Sequence, residues 1–111
     1  MLKHSAKLGF MYLGGKGIQR DNTEAAAWFR KAAEQGVAPS QMALGYLHEN
    51  GLGVPKDEMQ AYMWYSLAAD GGMAEANAML NALAKRMRPS DVSEAKQLMR
   101  DWIATHKRLS E

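Results

Sequence analysis

A shift of 36 positions brings this chain into register with itself. Leu8-Gly9 then falls on Leu44-Gly45, Gly15 and Gly17 on Gly51 and Gly53, and Asp21 on Asp57. Ala25 falls on Ala61, Trp28 on Trp64, Phe29 on Tyr65, Ala32-Ala33 on Ala68-Ala69, and Gly36 on Gly72. Matches of glycine and tryptophan at one constant offset constrain the fold more than any other feature, because a repeat of this length is one supersecondary unit that must stack on its neighbours.

The content of one repeat points to a helical pair. Ala25, Trp28, Phe29, Ala32 and Ala33 follow the i, i+3, i+4, i+7, i+8 spacing of a single helix face. Asp21 with Glu24, and Asp57 with Gln60, read as capping boxes at the start of that helix. Gly36 and Gly72 stop it, as glycine in the left-handed conformation commonly does. Ahead of it, Leu8, Gly9 and Tyr12 lie along one side of a shorter helix. Gly15-Lys16-Gly17 and Gly51-Leu52-Gly53 provide the turn between the two. Each repeat is therefore helix, glycine-rich turn, helix.

The pattern Ala6-Lys7-Leu8-Gly9-Phe10-Met11-Tyr12, Gly15-Lys16-Gly17-Ile18, Asp21, Ala25, Trp28-Phe29, Lys31-Ala32-Ala33 and Gly36 resembles the Sel1-like repeat, an α-solenoid relative of the tetratricopeptide repeats. The second copy, from Leu44-Gly45-Tyr46-Leu47 to Gly72, looks like the same motif. It departs at His48, where the family usually has Tyr, and at Leu67, where it often has Lys. A third unit starts with Ala74, Leu80 and Leu83 and then loses the pattern: Asn81 replaces the helix glycine and no Gly-x-Gly turn follows. Arg88-Pro89-Ser90 breaks the chain, and a last helix from about Asp91 to His106 puts Val92, Ala95, Leu98, Met99, Trp102 and Ile103 on one side. This reads as a terminal cap over the solenoid's last apolar face. The expected fold is all-α, a solenoid of about three helix-turn-helix pairs forming one right-handed arch. Repeat 1 spans about 2–36, repeat 2 about 38–72, and a degenerate capping pair about 74–108, within one domain, 1–111.

Composition narrows the function classes. Fourteen Lys+Arg against twelve Asp+Glu leave only +2, too little to indicate a nucleic-acid partner. With no cysteine there is no disulfide scaffold, thiol nucleophile or Cys-based zinc site. No apolar run reaches the about 18 residues of a membrane span, so no membrane insertion is expected. Met1 to Leu13 lack a signal peptide's unbroken apolar core. The cytoplasm is the default expectation, with the periplasm or secretion open if a leader has been removed.

No catalytic or cofactor motif emerges. Gly14-Gly15-Lys16-Gly17 imitates a phosphate loop, but no strand precedes it and its copy lacks the Lys. His4, His48 and His106 have no metal-ligand spacing, so neither metal nor cofactor is expected; His48 reads as a packed side chain with one hydrogen bond. Asp21 and Asp57, with Glu24 and Glu58, are better explained as caps than as paired catalytic carboxylates. Ser5, Ser40, Ser66, Ser90 and Ser93 lie in no nucleophile elbow.

The outward side of the first helices is the candidate binding surface. If Leu8, Gly9 and Tyr12 face inward, Lys3, Lys7, Phe10 and Gly14 face away at about 100° per residue. Their counterparts are Pro39, Ala43, Tyr46 and Asn50, then Glu75, Met79, Ala82 and Arg86. The resemblance implies that first helices line a concave face. Phe10 and Tyr46 then form an aromatic ridge flanked by Lys3, Lys7, Asn50, Met79 and Arg86, suited to a peptide or helix. The other reading is that both rings pack sideways between neighbouring helices. Met59, Tyr62, Met63 and Leu67 make the second helix of repeat 2 apolar nearly all round, either from burial on both sides or as a Met-rich contact patch. Charge is segregated: six basic and two acidic groups in 1–33, one and six in 34–75, seven and four in 76–111.

The leading expectation is a non-enzymatic adaptor that binds a protein or peptide partner on the concave face. A second reading is a cell-wall-related small-ligand binder or β-lactamase-like hydrolase, as in cysteine-rich relatives whose inter-helix disulfides this chain cannot form. A third is a self-assembling structural protein, weakly homo-oligomeric through its segregated charges.

Overall fold

The computed structural model describes residues 21–106, which form five α-helices. They are α1 (Asn22–Glu34), α2 (Ala38–Asn50), α3 (Glu58–Asp70), α4 (Ala74–Ala84) and α5 (Pro89–His106). No strand occurs among the described residues. The expected helix of Leu8, Gly9 and Tyr12, and with it the sixth helix of the arch, lies outside them.

The repeat is visible in the backbone chemistry of the helix ends. Asp21 and Asp57 both take extended backbone before a helix, and their carboxylates accept N–H groups of its first turn. Asp21 accepts from Glu24 at 3.1 Å, while Asp57 accepts from both Met59 and Gln60 at 3.1 Å. These bonds satisfy donors that a helix N-terminus otherwise leaves unpaired. At the other end, Gly36 (φ 91°) and Gly72 (φ 99°) turn the chain out of the helix in the left-handed region. Val37 then donates back to the Ala32 carbonyl, and Met73 to that of Ala68, each at 3.1 Å. The same two caps thus recur 36 residues apart.

Helix α3 is the hub: α2, α4 and α5 all pack against it, and α1 packs against α2. Every residue from Ala61 to Ala68 is buried. This decides the reading of the apolar helix in favour of burial on several sides; a stripe on one face would leave the opposite face wet. One core cluster joins Phe29, Leu44, Leu47, Met63, Trp64 and Leu67, with Leu98, Met99 and Trp102 of the last helix closing over it. A second joins Ala61, Tyr62, Tyr65, Leu83, Met87 and Ala95. Small residues set the spacing. A Cβ on Gly45 would stand 2.8 Å from the Tyr65 ring, so α2 and α3 approach at a distance that only glycine permits.

Two details differ from the sequence expectation. Helix α5 begins at Pro89, two residues before Asp91, because proline is compatible with a first helical turn. Ile103, expected beside Trp102, is 40% exposed. The buried stripe of α5 centres on Ala95, and Ile103 sits at its edge in the last turn.

Candidate functional site

The first helices of the second and third pairs, α2 and α4, carry the described part of the expected binding surface. Tyr46 is 44% exposed at the middle of α2. Asn50, one turn later, is exposed and donates its Nδ2 hydrogen to the Tyr46 carbonyl at 2.9 Å, leaving its own oxygen available. Arg86, just past α4, is exposed and paired with Glu49 of α2. Met79 is half-buried against the second core cluster, as is Met42. Arg86 is thereby tied to the last turn of α2, which carries Tyr46 and Asn50, while Met79 belongs partly to the core. Pro39, Glu75 and Ala82 are exposed as expected, but Ala43 packs against the first cluster. Lys3, Lys7 and Phe10 lie outside the described residues.

Glu49 organises this surface, and the sequence reading passed over it. Its Oε1 accepts the Tyr65 hydroxyl at 2.6 Å and its Oε2 accepts from the Arg86 guanidinium. The carboxylate thus ties α2 to α3 and to the end of α4. Burial, then the hydrogen bond to Glu49, pushes the Tyr65 phenol far above its ordinary range, so it keeps its proton and donates it to the carboxylate. One signal was available: repeat 1 has Phe29 where repeat 2 has Tyr65, and a hydroxyl added at a core position needs a partner. Arg86 uses only part of its donor fork on Glu49 and keeps N–H groups facing solvent.

The opposite side holds a cleft of about 390 Å³ between α1, α3 and α5, with Arg30, Glu34, Met63, Trp64, Asp101 and Trp102 on its walls. Trp102 meets Trp64 edge-on at 5.4 Å, and His106 stacks on Trp102 at 4.0 Å. These contacts are internal packing of the cap. His106 also donates Nδ1–H to the Trp102 carbonyl at 2.9 Å, so it is held as part of the helix end. His48, expected to make one hydrogen bond, has two partners: the Pro55 carbonyl at 3.3 Å and the Arg30 guanidinium at 3.4 Å.

Among the described residues no group of three His, Asp or Glu side chains is placed to hold a metal ion. Asp21 and Asp57 are engaged as helix caps, and Ser40 and Ser66 are buried. No described helix is long and apolar enough to cross a membrane.

Comparison with known proteins agrees with this architecture. The family model for the Sel1 repeat matches twice, at residues 6–37 and 38–73. The structure of c5321, a protective antigen of uropathogenic Escherichia coli with an SLR fold, superposes with a TM-score of 0.90 at 33% identity, over 96% of this chain and 23% of that one. A Sel1 repeat protein from Oxalobacter formigenes superposes with a TM-score of 0.74 at 42% identity, over 75% of this chain and 24% of that one. The chain spans about a quarter of the length of these relatives. A search among curated proteins finds no match.

Proposed function

The chain belongs to the Sel1 repeat family, and on that premise we propose that it is a protein-interaction module that holds a partner peptide or helix against the side formed by its first helices. The observation that carries this reading is the exposed Tyr46–Asn50 turn of α2 with Arg86 tied to the same helix through Glu49. An exposed aromatic ring and a free amide oxygen on α2 stand beside a guanidinium with spare donors that follows α4 and is paired with Glu49 of α2. An aromatic ring and an arginine are the residue types that most often dominate binding energy at protein interfaces. Their positions are set by core contacts one residue away, so a partner would meet a surface already ordered, which lowers the cost of association. By the repeat register Lys3, Lys7 and Phe10 extend the same side in the first pair, and Met79 contributes its exposed part in the third.

The test is capture from the native host's lysate on wild-type protein beside a Phe10→Ala/Tyr46→Ala double variant and an Arg86→Ala variant. The captured protein is then purified and titrated by calorimetry. A partner retained near stoichiometry by wild type, and weakened at least tenfold by either variant without loss of helicity, supports the reading. Equal affinity for all three chains would remove the first-helix side as the binding surface.

A further inference from the structure

His48 is 5% exposed, and the chemistry of its two neighbours leaves it only one form. The Pro55 carbonyl can only accept, so the Nδ1 that lies 3.3 Å from it carries the hydrogen. The Arg30 guanidinium can only donate, so the Nε2 that lies 3.4 Å from it presents a lone pair. The imidazole is therefore neutral and a single tautomer, with α1 on one side and the turn after α2 on the other. That turn is itself fastened to α1. At Gly53 (φ 74°) the backbone lies so close to the first residues of α1 that an added Cβ would stand 2.2 Å from the Asn22 oxygen. The His48 carbonyl meanwhile accepts the N–H of Asp57 at 2.9 Å, at the start of α3. One side chain thus sits where α1, α2, the turn and the α3 cap meet.

We propose that His48 is an acid-sensitive latch between the first and second repeats, which strengthens the seating of α1 on α2 when neutral and weakens it when protonated. A proton on Nε2 turns the acceptor into a donor that points at a donor, and sets an imidazolium against a guanidinium. The bond to Arg30 is lost and replaced by repulsion. Arg30 is exposed on α1 and relieves the clash by swinging into solvent, which removes this tie between α1 and α2 and leaves the apolar contacts of Phe29 and the Gln41 bond to the Ala33 carbonyl to hold them. Among the described residues, the one opposite charge acting on the ring is Asp57, from the α3 cap. Its Oδ1 accepts two backbone N–H groups of α3, and the ring's own hydrogen bonds go to Pro55 and Arg30, so Asp57 acts on the imidazolium through its charge alone. Burial, and after it the Arg30 charge, lowers the His48 pKa below its ordinary value, while the Pro55 bond and Asp57 act in the opposite sense. A group that binds its proton more weakly in the closed form than in the open form weakens the closed form as pH falls below about 6.5. The loss levels off below the closed-form pKa. Each unit between the two forms' pKa values is worth about tenfold in the opening equilibrium.

The test is amide hydrogen exchange at pH 7.5 and pH 5.0, corrected for the intrinsic rates. Wild type is compared with His48→Gln, which can donate and accept but does not titrate, and with Arg30→Met, which removes the opposing cation. The fall in α1 protection at pH 5.0, ahead of α3, should be largest in wild type, smaller in Arg30→Met, whose buried ring still titrates, and smallest in His48→Gln, where only the background remains. His4 and His106 remain in both variants, so any acid effect of theirs persists there and is subtracted. Undiminished α1 protection in wild type at pH 5.0 would overturn the latch, as would a fall in the variants equal to that in wild type. If His48→Gln fails to fold, the comparison with Arg30→Met decides alone.

Discussion

The Tyr65 hydroxyl meets the Glu49 carboxylate at 2.6 Å across the seam between α3 and α2, and the other carboxylate oxygen takes the Arg86 guanidinium. One largely buried acid thereby links a fully buried phenol to an exposed cation. The two ends of the Tyr65 bond should respond unequally to truncation. Tyr65→Phe removes a hydrogen bond to a charged acceptor that keeps Arg86 and water, at a cost of about 1–2 kcal/mol. Glu49→Ala leaves a phenol hydroxyl buried without a partner and should cost more, about 2–3 kcal/mol, although Glu49 is nearer the surface. Urea unfolding of both singles and the double variant checks this. The double should cost less than the sum of the singles.

The same bond produces an alkaline signature. Burial and Glu49 hold the Tyr65 phenol well above its ordinary pKa in the folded chain. The unfolded chain releases that proton near pH 10 and the folded chain does not. Stability contributed by the protonated phenol is therefore complete below about pH 10 and declines as pH rises beyond it. Thermal melting between pH 9 and pH 11 should show a steeper loss in wild type than in Tyr65→Phe. Parallel curves would place the Tyr65 phenol in contact with water.

Glycines that look equivalent in the repeat carry different loads. Gly36 and Gly53 both have positive φ, at 91° and 74°. A Cβ at Gly36 meets nothing within 4 Å, whereas one at Gly53 would overlap the backbone of Asn22 and Thr23. Gly36→Ala should therefore cost only the left-handed strain of about 1–2 kcal/mol. Gly53→Ala adds a collision with backbone that cannot rotate away, for a total of about 3 kcal/mol or more. Denaturation midpoints of the two variants, measured side by side, test whether the turn of repeat 2 rests on α1.

What could be read before the structure follows from which interactions are local. The caps at Asp21, Asp57, Gly36 and Gly72 act within a few residues, so their spacing in the sequence is already their geometry. The burial of α3 was written in the composition of Ala61 to Ala68, though the sequence alone left a Met-rich contact patch open. Glu49 was missed because its partners lie 16 and 37 residues away, and a glutamate near the end of an amphipathic helix reads as solvated. The second partner of His48 escaped for the same reason: Arg30 belongs to the preceding repeat. Of the expected binding residues, Tyr46 and Asn50 are neighbours by the helix period itself, whereas Arg86 joins α2 only through Glu49, a relationship that no periodicity encodes.

The last helix offers a direct check on how the solenoid is closed. Trp102 lies over the first core cluster, edge-on to the buried Trp64, with His106 stacked on its other side. Its neighbour in sequence, Ile103, is 40% exposed at the edge of the stripe. Trp102→Ala should uncover Trp64 and Met63 and cost about 2–3 kcal/mol, below the full range for a buried tryptophan because Trp102 is itself half-exposed. Ile103→Ala should cost less than about 1 kcal/mol, although it removes nearly as much side chain as many core truncations. Chemical denaturation supplies both values. Trp102→Ala should also shift the emission of the remaining tryptophans to longer wavelength as Trp64 meets water. Equal costs at the two positions would mean that α5 is rotated relative to α3, with Ile103 rather than Trp102 facing the core.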